Sequence, residues 1–400
     1  MNPIKKVYCR IFQTCFRIAI PLLPYRKPKT KGSVTAFPEV IRGYGCTKPL
    51  IVTDATIRSL GLLDPLEEIL KENDIPYVIY DKTVTNPTTV NVEEARGIYL
   101  EAQCDCLIAF GGGSSMDCAK AVGARLVRPN KSLAKMGGIL KVRKQLPLLM
   151  AVPTTAGTGS ETTLAAVITD AETRHKYAIN DFPLIPRIAV LDSKITKSLP
   201  PSVTATTGLD ALTHAVEAYI GRSTTMKTRR DALLATRLIF KYLDTAYTDG
   251  DDLRARRRML HAAFYAGCAF TKSYVGYVHA IAHSLGGEYN VPHGLANAVI
   301  LPMILEAYGP AVYPKLADLA REAGVSGEMM TQEEAAKSFI QAVKDMKKRF
   351  GIGDTIPEIR EEDIPKLARY ADKEANPLYP VPVLWNAKEL ETFYYRLMEK

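Results

Sequence analysis

Short apolar runs alternate with amphipathic helical patterns through the first half of the chain, and this alternation limits the possible folds more than any other feature. Each run has the length and composition of a buried strand. Alternating strands and helices are typical of a parallel, doubly wound sheet. The predicted strands are Leu50–Thr53, Tyr77–Tyr80, Cys106–Phe110, Leu148–Val152 and Ile188–Leu191, and the predicted helices are 56–72, 92–103 and 115–127.

The pattern changes after Leu199, where two prolines are followed by alanine-rich amphipathic stretches with hardly any strand signal. This change predicts an all-helical second half. We therefore divide the chain into an amino-terminal arm (1–32), an α/β domain (33–200) and a helical domain (201–400). Helices of the last domain are predicted at 208–221, 226–247, 251–270, 274–287, 295–307, 311–323, 333–350 and 387–398.

The formal net charge of +9 is concentrated in the arm, since residues 1–32 carry eight basic side chains and no acid. The rest of the chain is nearly neutral, which argues against a nucleic-acid partner. Within residues 3–24, apolar side chains recur at helical spacing, with Lys6, Arg10 and Arg17 on the other side. Such a helix either lies on an anionic membrane surface or packs its apolar side on its own or a neighbouring subunit. We favour the second alternative.

Seven cysteines occur without a CxxC pair, which indicates reduced thiols and a cytoplasmic protein. The chain also lacks an uninterrupted apolar run of the length that a transmembrane helix needs, about 18 residues or more, so we expect no membrane span.

A glycine-rich turn follows the predicted strand 106–110. Gly111, Gly112 and Gly113 lead through Ser114 into a helical pattern. Glycines let the backbone approach a pyrophosphate closely, and the free N–H groups of a helix start face the anion. The spacing is not GxGxxG, so an ordinary tight turn is the alternative.

Two further segments follow predicted strands at the edge where such sheets bind ligands. Asp54 could accept hydrogen bonds from a ribose diol and repel a 2′-phosphate, which would favour NAD over NADP; alternatively, it is the N-cap of the next helix. Residues 153–161 offer the hydroxyls of Thr154, Thr155 and Thr158 to a nucleotide, or these hydroxyls cap the following element.

Four of the six histidines lie in two groups. Asp210 and His214 are four residues apart and share one face of a predicted helix. His279 and His283 have the same spacing, and His293 follows in a Pro-His-Gly sequence. One carboxylate and three imidazoles complete the coordination of a divalent metal and leave room for a substrate oxygen. These residues predict a metal site.

Together these segments resemble the iron-containing (group III) alcohol dehydrogenases from about residue 33 to the carboxyl terminus. The matching motifs occur in the same order as in the family. They are LIVTD (50–54), NPT (86–88), GGGSSMDCAKAVG (111–123), PTTAGTGSE (153–161), Lys176, GLDALTHAVEAY (208–219), VGYVHAIAHSLGG (275–287), VPHGLANA (291–298) and Asn376-Pro377.

The resemblance implies an α/β Rossmann-like domain followed by an all-α metal-binding domain, a dehydroquinate synthase-like fold with its active site in the interdomain cleft. By motif position, the metal ligands are Asp210, His214, His279 and His293, and His283 is a non-ligand catalytic histidine. The implied NAD-binding residues are Asp54, Asn86, Gly112, Gly113, Ser114, Thr154, Thr155, Thr158 and Lys176. The family also implies a homo-oligomer.

The implied activity is reversible hydride transfer between NAD and a small alcohol or diol, assisted by Fe²⁺, although Zn²⁺ suits the same ligands. His283 is expected to relay the hydroxyl proton toward solvent. The alternatives are a glycerol-dehydrogenase-like enzyme, a dehydroquinate-synthase-like enzyme, or a non-catalytic membrane-associated module. One departure from the family is Thr271-Lys272 after Ala269-Phe270, where members often carry Asn and a small residue.

Overall fold

The computed structural model of this chain describes residues 1–398, which fall into two units. The α/β unit comprises residues 24–198, and the helical unit combines residues 1–23 with the chain from Leu199 onward. Helix α1 (Pro3–Ala19) is therefore the first element of the helical unit, although it precedes the α/β unit in sequence.

A six-stranded parallel sheet forms the centre of the α/β unit. Its strand order is β1-β9-β6-β4-β2-β3, and every neighbouring pair is parallel. The strands are β1 (Lys29–Lys31), β2 (Pro49–Val52), β3 (Val78–Tyr80), β4 (Cys106–Gly111), β6 (Leu148–Pro153) and β9 (Ile188–Val190). A second sheet contains β5 (Gly138–Ile139), β7 (Ala165–Thr169) and β8 (Lys176–Asn180), in the order β5-β8-β7.

Helices cover both faces of the six-stranded sheet, which explains why its strands are apolar along their whole length. On one face, Leu107 and Leu149 pack with residues of α5 and α6; on the other, Ile108 and Met150 pack with residues of α2 and α4. The helices are α2 (Phe37–Gly43), α3 (Ala55–Ser59), α4 (Asp64–Glu72), α5 (Thr89–Glu101), α6 (Gly113–Val127) and α7 (Leu133–Met136). The predicted doubly wound sheet is confirmed.

The helical unit contains no strand among its described residues. Its core is α8, a helix that is buried from Gly208 to its end at Ile220. The other helices pack around it and around each other. The set is α8 (Pro201–Ile220), α9 (Met226–Thr248), α10 (Leu253–Ser273), α11 (Tyr277–Tyr289), α12 (His293–Tyr308), α13 (Tyr313–Ala323), α14 (Gln332–Arg349), α15 (Ile364–Ala375) and α16 (Ala387–Leu397).

Helix α1 packs on the helical unit through its polar side. Gln13 is buried and donates to the carbonyl oxygen of Tyr379 at 2.7 Å, and the Arg10 guanidinium donates to the carbonyl oxygens of Val381 and Pro382, both at 2.7 Å. The apolar side of α1 faces solvent. Of the predicted packing on its own or a neighbouring subunit, the first half is therefore wrong, because the carbonyl groups of the 379–382 segment need hydrogen-bond donors, which only the polar side supplies. Packing on a neighbouring subunit stays a prediction.

One other prediction differs from the structure, and some elements were not predicted. The predicted helix 56–72 is two helices, α3 and α4, because the chain turns between them at Gly61, whose φ is +66°. The small sheet and α15 were not predicted. Within residues 1–398, none of the helices combines the length and the apolar composition needed to cross a bilayer.

Candidate active site

Helix α8 supplies the first two members of a cluster of possible metal ligands. Asp210 and His214 are one helical turn apart, and both are buried. The His214 ring stacks on Phe270 of α10, with ring centroids 4.1 Å apart. This packing fixes the ring plane, so the imidazole is held in place before any ion binds.

His279 from α11 and His293 from α12 complete the cluster. The four donor atoms all lie within 4.8 Å of one another. Oδ1 of Asp210 is 3.5 Å from Nε2 of His293 and 4.0 Å from Nε2 of His279. Three helices that meet in the interior therefore bring together the four residues that the sequence predicted as metal ligands.

Glu217, on the same face of α8, orients His279. Its Oε2 accepts a hydrogen bond from Nδ1 of His279 at 2.6 Å, and the backbone N–H groups of Gly276 and Val278 also donate to this carboxylate, both at 2.8 Å. Burial raises the pKa of Glu217 to about 7, while the backbone donors oppose the shift. Gly276 is required here, since an added Cβ would lie only 2.7 Å from Glu217 Oε1.

The cluster has the properties of a cation site. Burial, and then the charges of the neighbouring imidazoles, holds the pKa of His279 well below its ordinary value, so its ring is neutral. Because Nδ1 donates to Glu217, Nε2 carries the lone pair, and this buried atom has no hydrogen-bond partner among the described residues. A buried acceptor left in this way needs a donor or an ion. A divalent metal fits it.

His283, one turn after His279, lies beside the cluster and is 44% exposed. Its ring stacks on His293, with centroids 5.1 Å apart, while its Nδ1 bonds Oε1 of Glu374 on α15 at 2.6 Å. The same oxygen accepts from the hydroxyl of Tyr379 at 2.6 Å. Burial by itself would raise the pKa of Glu374. The charge of His283 and the hydrogen bonds from His283 and Tyr379 outweigh burial and hold this pKa below its ordinary value. Glu374 is therefore a carboxylate that directs His283.

In the α/β unit, the glycine-rich turn lies at the start of α6. Strand β4 ends at Gly111, opposite Pro153 of β6, and Gly112 is the N-cap of α6. The loop after β6 folds against this turn: Thr158 Cγ2 is 3.5 Å from the position that a Cβ on Gly113 would occupy. Ser114 is in the first turn of α6. The structure thus brings the predicted phosphate turn and the predicted hydroxyl loop together at the carboxyl ends of adjacent strands.

A buried lysine holds the loop after β6. The ammonium of Lys120 donates to the carbonyl oxygens of Ser160 and Ala165 and to the hydroxyls of Ser160 and Thr163, at 2.7–2.9 Å. Burial lowers the pKa of Lys120 to about 8 and raises that of the adjacent Glu161 to about 7. These contacts fix the end of the segment that contains Thr154, Thr155 and Thr158.

Asp54 is the N-cap of α3, as one of the two interpretations predicted. Its Oδ1 accepts from the backbone N–H of Ile57 at 3.0 Å, and its Oδ2 accepts from the Ser115 hydroxyl at 3.2 Å. Lys176 donates to Oδ1 of Asn86 at 2.7 Å. Asn86 has a φ of +57°, a backbone conformation that Asn tolerates.

The sequence analysis did not identify Glu217, Glu374 or Lys120. Glu217 follows Asp210 by two helical turns, so helical periodicity could have placed it on the same face. Lys120 is within the quoted glycine motif but was given no role. Glu374 is 91 residues from His283, and no local pattern connects them.

Known proteins share both halves of this architecture. The family described as iron-containing alcohol dehydrogenase matches residues 29–193, and the C-terminal domain of the Fe-containing alcohol dehydrogenase family matches residues 204–398. Alcohol dehydrogenase 4 of Schizosaccharomyces pombe is 40% identical over 358 residues, which cover 88% of this chain and 83% of the relative. An NAD-dependent methanol dehydrogenase of Bacillus methanolicus is 36% identical over 344 residues, covering 85% and 90%.

Among solved structures, a 1,3-propanediol oxidoreductase superposes with a TM-score of 0.89 at 34% identity, covering 94% of this chain and 98% of that one. The predicted resemblance is thereby confirmed over nearly the whole chain. The chain belongs to the iron-containing alcohol dehydrogenase family.

Proposed function

We propose that this protein catalyses the reversible, NAD-linked oxidation of a small alcohol or diol to its aldehyde or ketone. The observation that carries this proposal is the buried Asp–His cluster, in which Nε2 of His279 has no hydrogen-bond partner among the described residues. The methanol and 1,3-propanediol activities named for its relatives support a short substrate, since both are small hydroxyl compounds.

Asp210, His214, His279 and His293 would hold the metal. One oxygen and three nitrogen donors suit Fe²⁺, the metal that names the family, and equally Zn²⁺. When bound, the ion supplies Lewis acidity that lowers the pKa of an alcohol hydroxyl or polarises a carbonyl. The protein's part is to keep the donors deprotonated, which burial does for His279, and to orient them, which Glu217 does for the same ring.

The nucleotide would bind at the carboxyl ends of the α/β strands. The N–H groups at the start of α6, beside Gly112, Gly113 and Ser114, face the pyrophosphate, and the hydroxyls of Thr154, Thr155 and Thr158 offer further hydrogen bonds. Asp54 is the residue toward the adenosine ribose, where its carboxylate disfavours a 2′-phosphate. Asn86 would lie toward the nicotinamide-side ribose, and Lys176, which donates to Oδ1 of Asn86, would lie near the dinucleotide. NAD supplies the hydride acceptor.

His283 would move the hydroxyl proton. Its Nδ1 is bonded to Glu374, which orients the ring, and we assign the exchange of a proton with substrate or water to Nε2. The partial exposure of the ring gives that proton a way to solvent. Glu374 stabilises the charged ring while the proton is held.

The partners are small alcohols and aldehydes rather than nucleic acid, and the seven cysteines, all free thiols, fit a cytoplasmic setting. The homo-oligomer stays a prediction.

The proposal is tested by His279→Ala, with His261→Ala as the matched control on α10. We expect His279→Ala to lose bound metal and turnover while NADH still binds, because the nucleotide residues belong to the other unit. After the protein has been loaded with iron or zinc, elemental analysis measures the bound metal and fluorescence titration measures NADH binding. Turnover is measured as the reduction of NAD with short alcohols and diols. Full activity of His279→Ala would show that the metal assignment is wrong, and no reduction of NAD with any alcohol would show that the activity is wrong.

A further inference from the structure

An apolar stripe on α1 faces solvent. It consists of branched aliphatic side chains at helical spacing on α1 and the turn that follows it, which are Ile4, Val7, Ile11, Ile18 and Leu22. Their exposed fractions run from 58% for Ile11 to 84% for Leu22. Single exposed apolar residues are common on protein surfaces, but a continuous stripe marks an interaction site. The active site described above does not use it.

The helix cannot turn this stripe inward without breaking the contacts of its opposite side. Gln13 and Arg10 donate to carbonyl oxygens of the 379–382 segment. The Lys5 ammonium is 2.9 Å from a carboxylate oxygen of Asp372. The Phe16 ring packs edge-on against the ring of Tyr274, with centroids 5.1 Å apart. Cys9 is fully buried in the same interface. The polar side thus anchors α1, and the apolar stripe stays outward.

The surroundings of α1 are cationic. The helix carries four basic residues, Lys5, Lys6, Arg10 and Arg17, and no acid. Arg17 also lies close to a group of cations on the helical unit, which are Lys315, Arg222 and Arg229. Burial lowers the pKa of Lys315 to about 8, and the positive charges of the three arginines contribute to the same shift. Three acidic residues around these cations already have partners. Asp372 pairs with Lys5, and Glu389 pairs with the terminal amine. Asp318 accepts a hydrogen bond from the Tyr219 hydroxyl and pairs with Arg321.

We propose that α1 docks the enzyme reversibly on an anionic membrane surface, with the apolar stripe in the boundary between headgroups and acyl chains. A helix with a clear apolar side, basic residues elsewhere and little net hydrophobicity is typical of this kind of contact. The positive charge of α1 favours an anionic membrane surface over a second copy of the chain as the partner of the apolar stripe. Because Asp372 pairs with Lys5, the net positive charge of the helix comes from Lys6, Arg10 and Arg17. Two copies of such a helix repel each other, whereas anionic headgroups attract it.

The proposal is tested by vesicle flotation of the full-length, metal-loaded enzyme. One set of vesicles is phosphatidylcholine with about one third phosphatidylglycerol, and the other is phosphatidylcholine alone. The test variant combines Ile11→Ser, Ile18→Ser and Leu22→Ser. The control variant, Leu60→Ser with Val90→Ser and Met329→Ser, removes three exposed apolar side chains outside α1. A third variant, Lys6→Gln with Arg17→Gln, removes charge alone.

We expect the wild-type enzyme to float with the anionic vesicles, to float weakly or not at all with neutral ones, and to be released by salt. The α1 triple variant should partition about a hundredfold less, the charge variant about tenfold less, and the control variant like wild type. Unaltered alcohol oxidation by the triple variant in solution confirms that it is folded.

Three results would overturn the proposal. The first is wild-type enzyme that stays at the bottom of the gradient with anionic vesicles at low salt. The second is equal binding of wild type and the α1 triple variant, which would mean that another surface contacts lipid. The third is a wild-type assembly in sedimentation velocity that the triple variant alone dissociates, combined with absence of flotation. That result would assign the stripe to a second copy of the chain.

Discussion

Glu217 fixes the orientation of His279 from the far side of the metal cluster, through a 2.6 Å hydrogen bond between its Oε2 and Nδ1 of the imidazole. Glu217→Gln removes the charge and keeps the shape. Carboxylate partners of ligating histidines typically change metal affinity by about 10–100-fold when mutated, and we expect a loss of that size. Competition with a fluorescent chelator measures it. Glu362→Gln at an exposed position is the control, and an unchanged affinity in Glu217→Gln would contradict the assigned role.

Glu374→Gln tests the proposed proton path. The hydrogen bond to His283 and the charge of Glu374 both favour the protonated ring, so we expect kcat to fall about tenfold or more while KM changes little. The decisive measurement is a double-mutant cycle with His283→Ala. In that background Glu374→Gln should have almost no further effect on kcat. Additive losses would mean that Glu374 acts independently of His283, and Glu328→Gln on an exposed loop controls for general effects.

Lys120→Met tests the support of the nucleotide loop. The substitution leaves the carbonyl oxygens of Ser160 and Ala165 without their buried donor, at a cost of about 1–3 kcal/mol each. We expect the Kd for NADH to rise at least about tenfold because the loop that carries Thr154, Thr155 and Thr158 loses its anchor. Fluorescence titration measures the Kd, with Lys135→Met as the control, and an unchanged circular dichroism spectrum shows that the protein remains folded. Wild-type NADH affinity in Lys120→Met would refute the role.

Glu161 should make stability depend on pH. Burial raises its pKa from an ordinary 4.5 to about 7, so the folded protein holds this proton more tightly than the unfolded chain does. The resulting stabilisation is fully present below pH 4.5 and is lost as the pH rises through 7. For a shift of this size the contribution is on the order of 3 kcal/mol.

Thermal unfolding of the metal-free protein between pH 4.5 and 8 checks this expectation. Glu161→Gln is neutral throughout, so its Tm should fall less steeply with pH than that of wild type. Glu172→Gln, on an exposed turn of the same unit, should keep the wild-type slope. Parallel curves for all three proteins would rule out Glu161 as the titrating group.

The sequence predicted the sheet well because its strands are buried on both faces and are therefore apolar throughout, as in Cys106–Phe110. It failed for β8 (Lys176–Asn180), which is only five residues long, begins and ends with a polar residue, and has a single fully buried position. For α1, periodicity predicted the helix correctly. It did not predict which side packs, because that choice depends on carbonyl groups at residues 379–382, which are distant in sequence.

The candidate metal ligands could be predicted because Asp210 and His214 share one turn of one helix and the family motifs mark the others. The residues that orient them were harder to find, since hydrogen bonds such as that between His283 and Glu374 join helices that are far apart in the chain. Chemistry-bearing residues can recur in local motifs, whereas their supports arise from how the helices pack.

A short series of hydrogen bonds, which passes through the side chain of Tyr379, connects α1 to His283. Gln13 contacts the carbonyl oxygen of Tyr379, the hydroxyl of the same tyrosine contacts Glu374, and Glu374 contacts His283. A truncation or bulky fusion that displaces α1 would therefore alter the environment of His283, the residue proposed to transfer the proton, as well as remove a surface helix. Preparations that differ only at the amino terminus need not be the same catalyst.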